Sequence, residues 1–439
     1  MRDEIFSIFL HILLSISTSF DSKETPCIPV PGWMFKTCIR KYTTSLKTAY
    51  ISSKNINKMS SALFETKILP VKSESIIFNG DQLSISDPET ENNLKIAAEV
   101  LTQTNNVVGF PTETVYGLGG NALSDESVKS IYRAKNRPAD NPLIVHVSSV
   151  EQLERKLLPK GYEIPAIYKP LLNKFWPGPL TILLPIIDGE KCPISSFVTA
   201  NQATFAVRIP SHPVARALIS ISDTPLAAPS ANASTRPSPT MAEHVYHDLQ
   251  GKIPYILDGG SCDVGLESTV VDGLVSPPML LRPGGISVEE VREAGGELWN
   301  GVILAKKTAG KLEAVKTPGM KYRHYSPTAK VVLFTNCGDG KEEIQKYLAE
   351  KNVPNSAKIA LLRATTFTTS SEISPQIQME RSMGSSGTEI SKSMFRLLRE
   401  VDEAGVDLIF VEGIEETNQG LAVMNRLSKA ALESIDGKK

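Results

Sequence analysis

Apolar and polar positions along this chain predict strands that alternate with helices. Segment 88–103 carries apolar residues at helical spacing and leads into the apolar run 106–110, which is typical of a buried strand. Further strands are predicted at 142–147, 180–187, 204–210, the start of 226–234, 253–257, 267–272 and 279–285, and helices at 125–136, 149–157, 167–175, 212–219, 240–249 and after Ser287. This order predicts an α/β layer architecture.

A second, shorter series of strands and helices follows. Its strands are predicted at 331–334, 359–362 and 408–412, and its helices around Ile344 and Leu348, at 391–404 and at 422–432. The pattern predicts a small parallel sheet of Rossmann-like topology, although its first strand is not followed by the glycine motif of dinucleotide-binding proteins. The serine-rich stretch 370–387 is predicted to be a mobile loop.

A chain of 439 residues is too long for a single core, so the pattern is divided into four parts. We predict an N-terminal extension at 1–70, a first α/β domain at 71–299 that ends near Leu298, a linker at 300–328 and a C-terminal domain at 329–439. The linker contains the cluster Met-Lys-Tyr-Arg-His-Tyr-Ser-Pro at 320–327. Such a cluster would be unusual in a simple spacer, and we expect it to cover a site on the first domain.

The N-terminal extension has an unusual composition. No acidic residue occurs from Thr25 to Phe64, where lysines and arginines are scattered among serines and threonines, which is typical of an organelle transit segment. Met34 and Met59 could each begin a shorter product. We therefore expect a cytoplasmic protein with a mitochondrial or plastid form; the alternative is a tail without a targeting function. The apolar run 5–16 is too short to span a membrane.

Charge and cysteine content narrow the class of function. The formal net charge of -1 argues against a protein that binds nucleic acid through bulk positive charge, and it favours small-molecule chemistry. The 5 cysteines form no CxxC pair and show no zinc-binding spacing, as expected in a reducing compartment.

The stretch Gly-Phe-Pro-Thr-Glu-Thr-Val-Tyr-Gly-Leu-Gly-Gly at 109–120 is the centre of the predicted site. It indicates a strand that stops at Pro111 and a glycine-punctuated turn, followed by a helix that Ser124 caps. Pro138 ends that helix, so Lys135 and Arg137 leave its last turn near the strand ends. These cations could simply complement the helix C-terminus, but their arrangement favours anion binding.

Other polar residues allow two interpretations each. Arg208 lies in an apolar strand and pairs either with a structural carboxylate or with a ligand carboxylate. His244 and His247 have the spacing of a metal pair but are interpreted as surface residues.

Two capping boxes are predicted, at Thr240–Glu243 and at Ser287–Glu290.

The sequence contains neither a P-loop nor an ordered set of residues for a covalent nucleophile. The small residues of 226–234 would let backbone amides approach a phosphate, and Arg282 lies beside a Gly-Gly pair. The chemistry that fits is electrostatic, with cations, amides and a metal ion around a phosphorus atom.

Seven ordered motifs carry a family resemblance over about residues 72–432. They are Pro-Thr-Glu-Thr-Val-Tyr-Gly-Leu-Gly, Lys-x-Arg-Pro with Asn-Pro-Leu, Ala-Val-Arg-Ile-Pro, Ala-Pro-Ser-Ala-Asn, Glu-Ser-Thr-Val-Val-Asp, Leu-Arg-Pro-Gly and Met-Lys-Tyr-Arg-His-Tyr-Ser-Pro. The chain thereby resembles the two-domain form of the threonylcarbamoyl-AMP synthases. The resemblance implies a YrdC-like twisted open sheet with helices and a smaller Rossmann-like parallel-sheet domain.

The resemblance also implies a reaction and its participants. ATP, L-threonine and bicarbonate would give threonylcarbamoyl-AMP and pyrophosphate, with Mg²⁺ assisting, for modification of the tRNA adenosine next to the anticodon. The product would pass to a separate tRNA threonylcarbamoyltransferase complex, with at most a weak contact to tRNA and none to a membrane.

Site residues are implied at the matching positions. The implied threonine pocket is Thr114, His146, Arg208, Ala228 and Ser268; the ATP contacts are Arg137, Asn141, Thr204, Ser230, Ser238, Arg282 and Tyr325; the catalytic tetrad is Lys135, Arg137, Ser230 and Asn232. Thr235 stands where the family usually has glycine after its Ser-Ala-Asn-x-Ser run.

Two other functions compete with this one. A YrdC-like domain could instead be a double-stranded RNA or tRNA-binding module, which would show a steep salt dependence and no threonine-dependent turnover. A carbamoyl-adenylate enzyme of hydrogenase maturation would need zinc-finger-like cysteine pairs, which this sequence lacks.

Overall fold

The computed structural model describes residues 63–138, 141–187, 193–305 and 324–438. All of them fall within one compact unit, Ala62–Lys439. The predicted transit segment, with Met34 and Met59, lies outside the described residues, and so does most of the predicted linker, at 306–323.

The first part of the described chain builds one large sheet and a hairpin. Strands β1 to β13 are Lys67–Pro70, Ile76–Asn79, Gln82–Ile85, Val108–Phe110, Gly117–Asn121, Ile144–His146, Leu180–Pro185, Thr204–Arg208, Leu226–Ala227, Tyr255–Asp258, Thr269–Asp272, Met279–Arg282 and Ile303–Leu304. Helices α1 to α8 are Pro88–Gln103, Asp125–Lys135, Val150–Leu157, Lys169–Phe175, Ser196–Thr199, Pro213–Ser222, Ala242–Leu249 and Val288–Gly295. Short 3₁₀ turns lie at Ser73–Ser75, Ala166–Tyr168 and Gly296–Leu298.

The large sheet is mixed. Its 11 strands run in the order β1-β10-β4-β5-β9-β6-β8-β7-β11-β12-β13, and β2 pairs with β3 separately. The parallel strands β6 and β8 are in register, with His146 opposite Arg208, so both side chains lie at the carboxyl ends of adjacent strands. The predicted YrdC-like open sheet with helices is confirmed.

The helices form where local sequence signals predict them. Helix α1 buries Leu94, Ala97 and Leu101 on one face. Helix α2 begins at Ser124, whose side chain accepts the N–H of Ser127, and it ends at Asn136, which adopts a left-handed φ of 50°. The end of α2 therefore places Lys135 and Arg137 at the strand ends, as predicted.

The second part of the chain builds a parallel sheet. Strands β14 to β18 are Lys330–Thr335, Ile359–Arg363, Ile377–Ser382, Leu408–Glu412 and Glu433–Asp436, and helices α9 to α12 are Lys341–Glu350, Ser370–Ile373, Gly387–Glu403 and Gln419–Ala430. The strand order is β16-β15-β17-β14-β18, and every pair is parallel. The predicted Rossmann-like topology is confirmed.

Two predictions of backbone structure are wrong. The glycine-rich segment Gly117–Asn121 is a strand and not a turn, because it pairs with β4 on one side and β9 on the other. The stretch 370–387 is not a mobile loop, because Ile377–Ser382 pairs with β15 and the side chains of Ile373 and Ile377 are buried.

Two predictions around helix α7 are also wrong. The helix begins after Met241 and has no side-chain cap, so Thr240 and Glu243 form no capping box. The N–H of Thr240 instead donates to Nδ1 of His244 at 3.2 Å, and His244 is buried, whereas His247 is exposed as predicted. The second predicted capping box, Ser287 with Glu290, is confirmed.

The helices of the parallel sheet contact helix α7 and the loops beside the large sheet through buried arginines. Arg399 of α11 binds Asp248 at 2.7 Å and the carbonyl of Pro237 at 2.6 Å. Arg426 of α12 binds Glu267 at 2.9 Å. Among the described residues, no helix is both long enough and apolar enough to cross a bilayer.

Candidate functional site

A cavity opens where the ends of β4, β6, β8, β9 and β12 meet. Its lining residues come from both predicted subsites and from the end of the linker: Thr112, Thr114, Val115, Gly117, Arg137, Ile144, His146, Arg208, Ala228, Pro229, Ser230, Glu267, Ser268, Arg282, His324 and Tyr325. Three arginines thus share one cavity, and we take this cavity as the candidate active site.

Lys135 organises the small-residue turn on one wall of the cavity. Its ammonium group donates to the carbonyls of Ser230 and Asn232, and the Asn232 contact is 2.6 Å. The hydroxyl of Ser230 in turn donates to Oδ1 of Asn232 at 2.5 Å. Burial, together with the neighbouring Arg137, holds the pKa of Lys135 well below its usual value. Lys135 therefore holds the turn from behind through these hydrogen bonds, while Arg137 and Ser230 face the cavity.

Arg208 has a structural carboxylate partner. Its Nη2 atom lies 2.6 Å from Oε1 of Glu113, and its Nη1 donates to the hydroxyl of Thr114 at 3.0 Å. Both charged side chains are almost completely buried, at 3% and 8% exposure. Glu113 also accepts the N–H of Ser211. The structural pairing that the sequence left open therefore exists, and it fixes the plane of the Arg208 guanidinium group.

His146 lies beside Arg208 and is kept neutral. Burial, reinforced by the positive charge of Arg208, lowers the pKa of His146 to about 3. Its Nδ1 atom lies 3.2 Å from the carbonyl oxygen of Ile144. A neutral imidazole adds shape and polarity to this corner of the cavity without adding a charge.

Arg282 forms the opposite wall together with Ser268. It donates to the carbonyl of Ser268 at 2.8 Å and to its hydroxyl at 3.1 Å, and that hydroxyl also pairs with Thr181. Burial is the main reason why the pKa of Arg282 falls to about 10. The side chain therefore stays charged at neutral pH.

Glu267 connects the cavity to the parallel sheet. Its carboxylate accepts from Ser238 at 2.6 Å and from Arg426 at 2.9 Å. Burial opposes its ionisation, but the charges of Arg426 and Arg282 and the hydrogen bond from Ser238 lower its pKa to about 2. Ser238 therefore reaches the cavity wall only through Glu267.

Two residues from the end of the linker complete the lining. The ring of Tyr325 stacks 5.2 Å from Phe395 of α11, and the guanidinium carbon of Arg426 lies 5.7 Å from its centroid. Burial raises the pKa of Tyr325 to about 12, and burial beside Arg137 lowers the pKa of His324 to about 3. Both groups are therefore uncharged at neutral pH.

The structure groups most of the predicted site residues but not all of them. Thr114, Arg137, His146, Arg208, Ala228, Ser230, Ser268, Arg282 and Tyr325 line the cavity. Lys135, Asn232 and Ser238 lie directly behind it. Thr204 begins strand β8, at the end opposite to Arg208, and Asn141 precedes the matching end of β6. Neither residue is part of the cavity lining.

Sequence reasoning missed Glu113, Glu267, His324 and Arg426. Each of the two glutamates lies inside one of the family motifs, next to a hydroxyl residue that was predicted to belong to the site. The usable signal was that a buried arginine such as Arg208 needs a carboxylate partner. Arg426 gave no comparable signal, because its partner Glu267 is 159 positions away in the chain.

No resident metal site is found among the residues that the structure describes. They contain no group of three or more His, Cys, Asp or Glu side chains that could hold an ion, so His244 and His247 have no further ligands. The two carboxylates nearest the cavity, Glu113 and Glu267, are already bound by Arg208 and Arg426. The site is built to hold anions by cations, hydroxyls and amides.

Comparisons with known proteins match both parts of the chain to described families. Residues 100–284 match the domain family described as Telomere recombination, and residues 286–432 match that described as Threonylcarbamoyl-AMP synthase, C-terminal domain. The threonylcarbamoyl-AMP synthase of Schizosaccharomyces pombe is 54% identical over 82% of this chain and 93% of its own length. The synthase of Bacillus subtilis is 42% identical over 80% of this chain and 95% of its own length.

A solved structure covers both sheets. Sua5 of Pyrococcus abyssi, complexed with L-threonine, superposes with a TM-score of 0.71 at 40% identity and covers 84% of this chain and 99% of its own. The level of identity and the two-domain match are together decisive. The chain belongs to the threonylcarbamoyl-AMP synthase family.

Proposed function

We propose that the cavity is the active site at which ATP, L-threonine and bicarbonate are converted into threonylcarbamoyl-AMP and pyrophosphate. The observation that carries the proposal is the convergence of Arg137, Arg208 and Arg282 on one cavity, whose lining also includes hydroxyl residues and two neutral histidines and whose carboxylate, Glu267, is paired with Arg426. Such a cavity suits one carboxylate and a chain of phosphates, which are the anions that this reaction brings together.

L-Threonine is proposed to bind at the Arg208 end. The guanidinium plane, set by Glu113 and Thr114, offers a fixed fork for the amino-acid carboxylate. Neutral His146 and the hydroxyl of Ser268 supply polar contacts, and the small side chain of Ala228 leaves room for the ligand. Glu113 keeps this corner from carrying an excess of positive charge.

ATP is proposed to bind along Arg137, Ser230, Arg282 and Tyr325. Ser238 supports this wall through Glu267, and Asn141 with Thr204 would contact the nucleotide beyond the cavity. In the tetrad, Arg137 is proposed to neutralise charge as the carbamate oxygen attacks the α-phosphorus and pyrophosphate leaves. Lys135 and Asn232 hold Ser230 in place for that step.

Mg²⁺ is proposed to arrive with the ATP phosphates. The carboxylates beside the cavity are occupied by arginines, so the donor set does not fit a resident ion. The metal would therefore belong to the substrate.

The product is proposed to pass to a separate tRNA threonylcarbamoyltransferase complex, which modifies the adenosine next to the anticodon, with only a weak direct contact to tRNA. The basic N-terminal extension supports a mitochondrial or plastid form beside a cytoplasmic one.

The test is pyrophosphate release by the purified full chain, with ATP, L-threonine and bicarbonate each omitted in turn. We expect release only when all three are present, and a threonylcarbamoyl-adenylate product by mass spectrometry. Pyrophosphate release that is indifferent to threonine would contradict the proposal.

A further inference from the structure

A second and larger cavity lies on the parallel sheet. Its volume is about 750 Å³, and it opens at the carboxyl ends of β14, β15 and β17. The starts of α11 and α12 close its sides, at Ser385 and at Asn418. None of its lining residues belongs to the active-site cavity.

The topology of the sheet creates this cleft. Strands β14 and β17 are adjacent, but the helices that follow them cover opposite faces. Helix α9 packs with Val332 and Phe334, whereas α12 packs with Val331 and Leu333. The segments that lead from β14 to α9 and from β17 to α12 therefore diverge to opposite faces of the sheet. Such a switch point is where open α/β sheets bind ligands.

The walls of the cleft combine an apolar floor with an uncharged polar rim. The floor contains the rings of Phe334 and Phe367 with Ile414 and Met424, and hydroxyl and amide side chains surround it. The charged residues of the lining are Glu415 and Glu416, and the lining described here includes no Lys, Arg or His. The active-site cavity, with three arginines, has the opposite character.

One side of the cleft presents backbone amides. Helix α11 begins with a closed capping box of Ser386 and Glu389, whereas α12 begins without a side-chain cap. A Cβ atom at Gly420 would lie 2.0 Å from the carbonyl oxygen of Glu415, so glycine is required where the chain turns into α12. The first turn of α12 therefore borders the cleft with the backbone of Gly420, beside the side chains of Asn418 and Gln419.

We propose that this cleft binds a nucleoside that carries at most one phosphate group. A flat base fits the aromatic and aliphatic floor, and the ribose hydroxyls can donate to the carboxylates of Glu415 and Glu416. The N–H of Gly420 already donates to the carbonyl of Thr417, so the other amides of the first turn of α12 would take a single anionic or carbonyl oxygen. A triphosphate is disfavoured, because no basic side chain of the lining would compensate its charge. The volume exceeds that of a mononucleoside, so the ligand enters without displacing a side chain.

Gly387 offers a way to block the cleft. A Cβ atom there would lie 3.4 Å from Cβ of Gln419 and 3.8 Å from the backbone nitrogen of Gly420, so a longer side chain would cover the start of α12. Gly387→Leu should fill this space, whereas Gly387→Ala adds one methyl group at an ordinary contact distance and serves as the matched control.

The test is isothermal titration calorimetry of adenosine, AMP and ATP into the full chain. We expect adenosine and AMP to bind the wild type, Gly387→Ala and Arg137→Ala within about twofold of one another, and Gly387→Leu at least tenfold more weakly. The double variant Glu415→Gln/Glu416→Gln changes only exposed side chains and should weaken adenosine binding at least fivefold, which covers the case that Gly387→Leu fails to fold. ATP should bind the active site and lose affinity in Arg137→Ala.

Adenosine that fails to bind the wild type, or that binds Gly387→Leu unchanged, would overturn the proposal. Loss of adenosine binding in Arg137→Ala would overturn it too, because the ligand would then occupy the active site. Threonine-dependent pyrophosphate release is measured in parallel and should persist in Gly387→Leu, so failure of this proposal is distinguished from failure of the proposed enzyme activity.

Discussion

At the scale of single residues, Arg137 is the cation that we propose faces the reacting phosphate. It lines the active-site cavity, while Lys135 behind it is engaged with backbone carbonyls. Replacing Arg137 by alanine should cost roughly 2 to 4 kcal/mol of transition-state stabilisation, or roughly 30- to 1,000-fold in kcat/KM. The measurement is kcat/KM for pyrophosphate release.

Arg133→Ala is the control for that prediction. Arg133 lies in the last turn of the same helix, is exposed and donates to Ser130 on the surface. It should therefore keep wild-type turnover. Equal loss in both variants would show that the helix, and not the charge of Arg137, matters.

Thr235 carries local strain that glycine would remove. Its φ is 75°, a left-handed value that β-branched residues rarely adopt, and its carbonyl accepts the N–H of Ser326. Glycine, which the resemblance implies at this position, adopts such a φ without strain. We expect Thr235→Gly to raise the free energy of unfolding by about 1 kcal/mol, as measured by urea denaturation.

Thr235→Ala tests the origin of that effect. Alanine keeps the Cβ atom and loses the methyl and hydroxyl groups of threonine. Thr235→Ala should therefore show less than half of the increase in unfolding free energy expected for Thr235→Gly. A Thr235→Gly variant that is less stable than the wild type would show that chain entropy outweighs the strain.

At the level of elements, helix α12, which packs on the parallel sheet, supports the candidate active site through the side chain of Arg426. Arg426 contacts Glu267 and the ring of Tyr325, both of which line the cavity. Arg426→Met would remove the ion-pair partner of the buried Glu267, and we expect a loss of about 3 to 5 kcal/mol in stability together with a KM for ATP raised at least tenfold.

Helix α11 supplies the matched variant. Arg399 is buried to the same extent and pairs with Asp248, which does not line the cavity. Arg399→Met should lose comparable stability, but its KM for ATP should change less than threefold. A KM raised equally in both variants would mean that docking of the two sheets, and not the contacts of Arg426, controls the site.

At the scale of the whole molecule, the buried carboxylate of Glu267 ties stability to pH. Its pKa is about 2 in the folded chain, against a reference value of 4.5, so the folded state favours the ionised form. This contribution is complete above pH 4.5 and is lost as the pH falls towards 2. The depressed pKa corresponds to about 3 kcal/mol of stability.

Urea denaturation of the wild type and of Glu267→Gln between pH 6 and pH 2 measures this dependence. The wild type should lose about 3 kcal/mol more than the variant over that interval. Parallel curves for the two proteins would show that Glu267 does not carry a lowered pKa.

Local signals made the helices predictable. Ser124, Ser149 and Ser287 begin helices because each hydroxyl satisfies an N–H within one turn of the chain, and no distant partner is needed. The strand at Gly117–Asn121 was not predictable in this way. It has no side chains that favour a strand, and only its pairing with β4 and β9 makes it one.

The sequence by itself determined the alternating α/β pattern, the parallel topology of the second sheet and most of the cavity's hydroxyl and cationic residues, because those follow from short-range periodicity and ordered motifs. Tertiary structure alone decided the pairing of Arg208 with Glu113 and of Arg426 with Glu267, and the position of Thr204 at the far end of its strand. A buried charge needs an oppositely charged partner that is close in space. Arg426 and Glu267 are 159 positions apart in the chain, so only the fold brings them together.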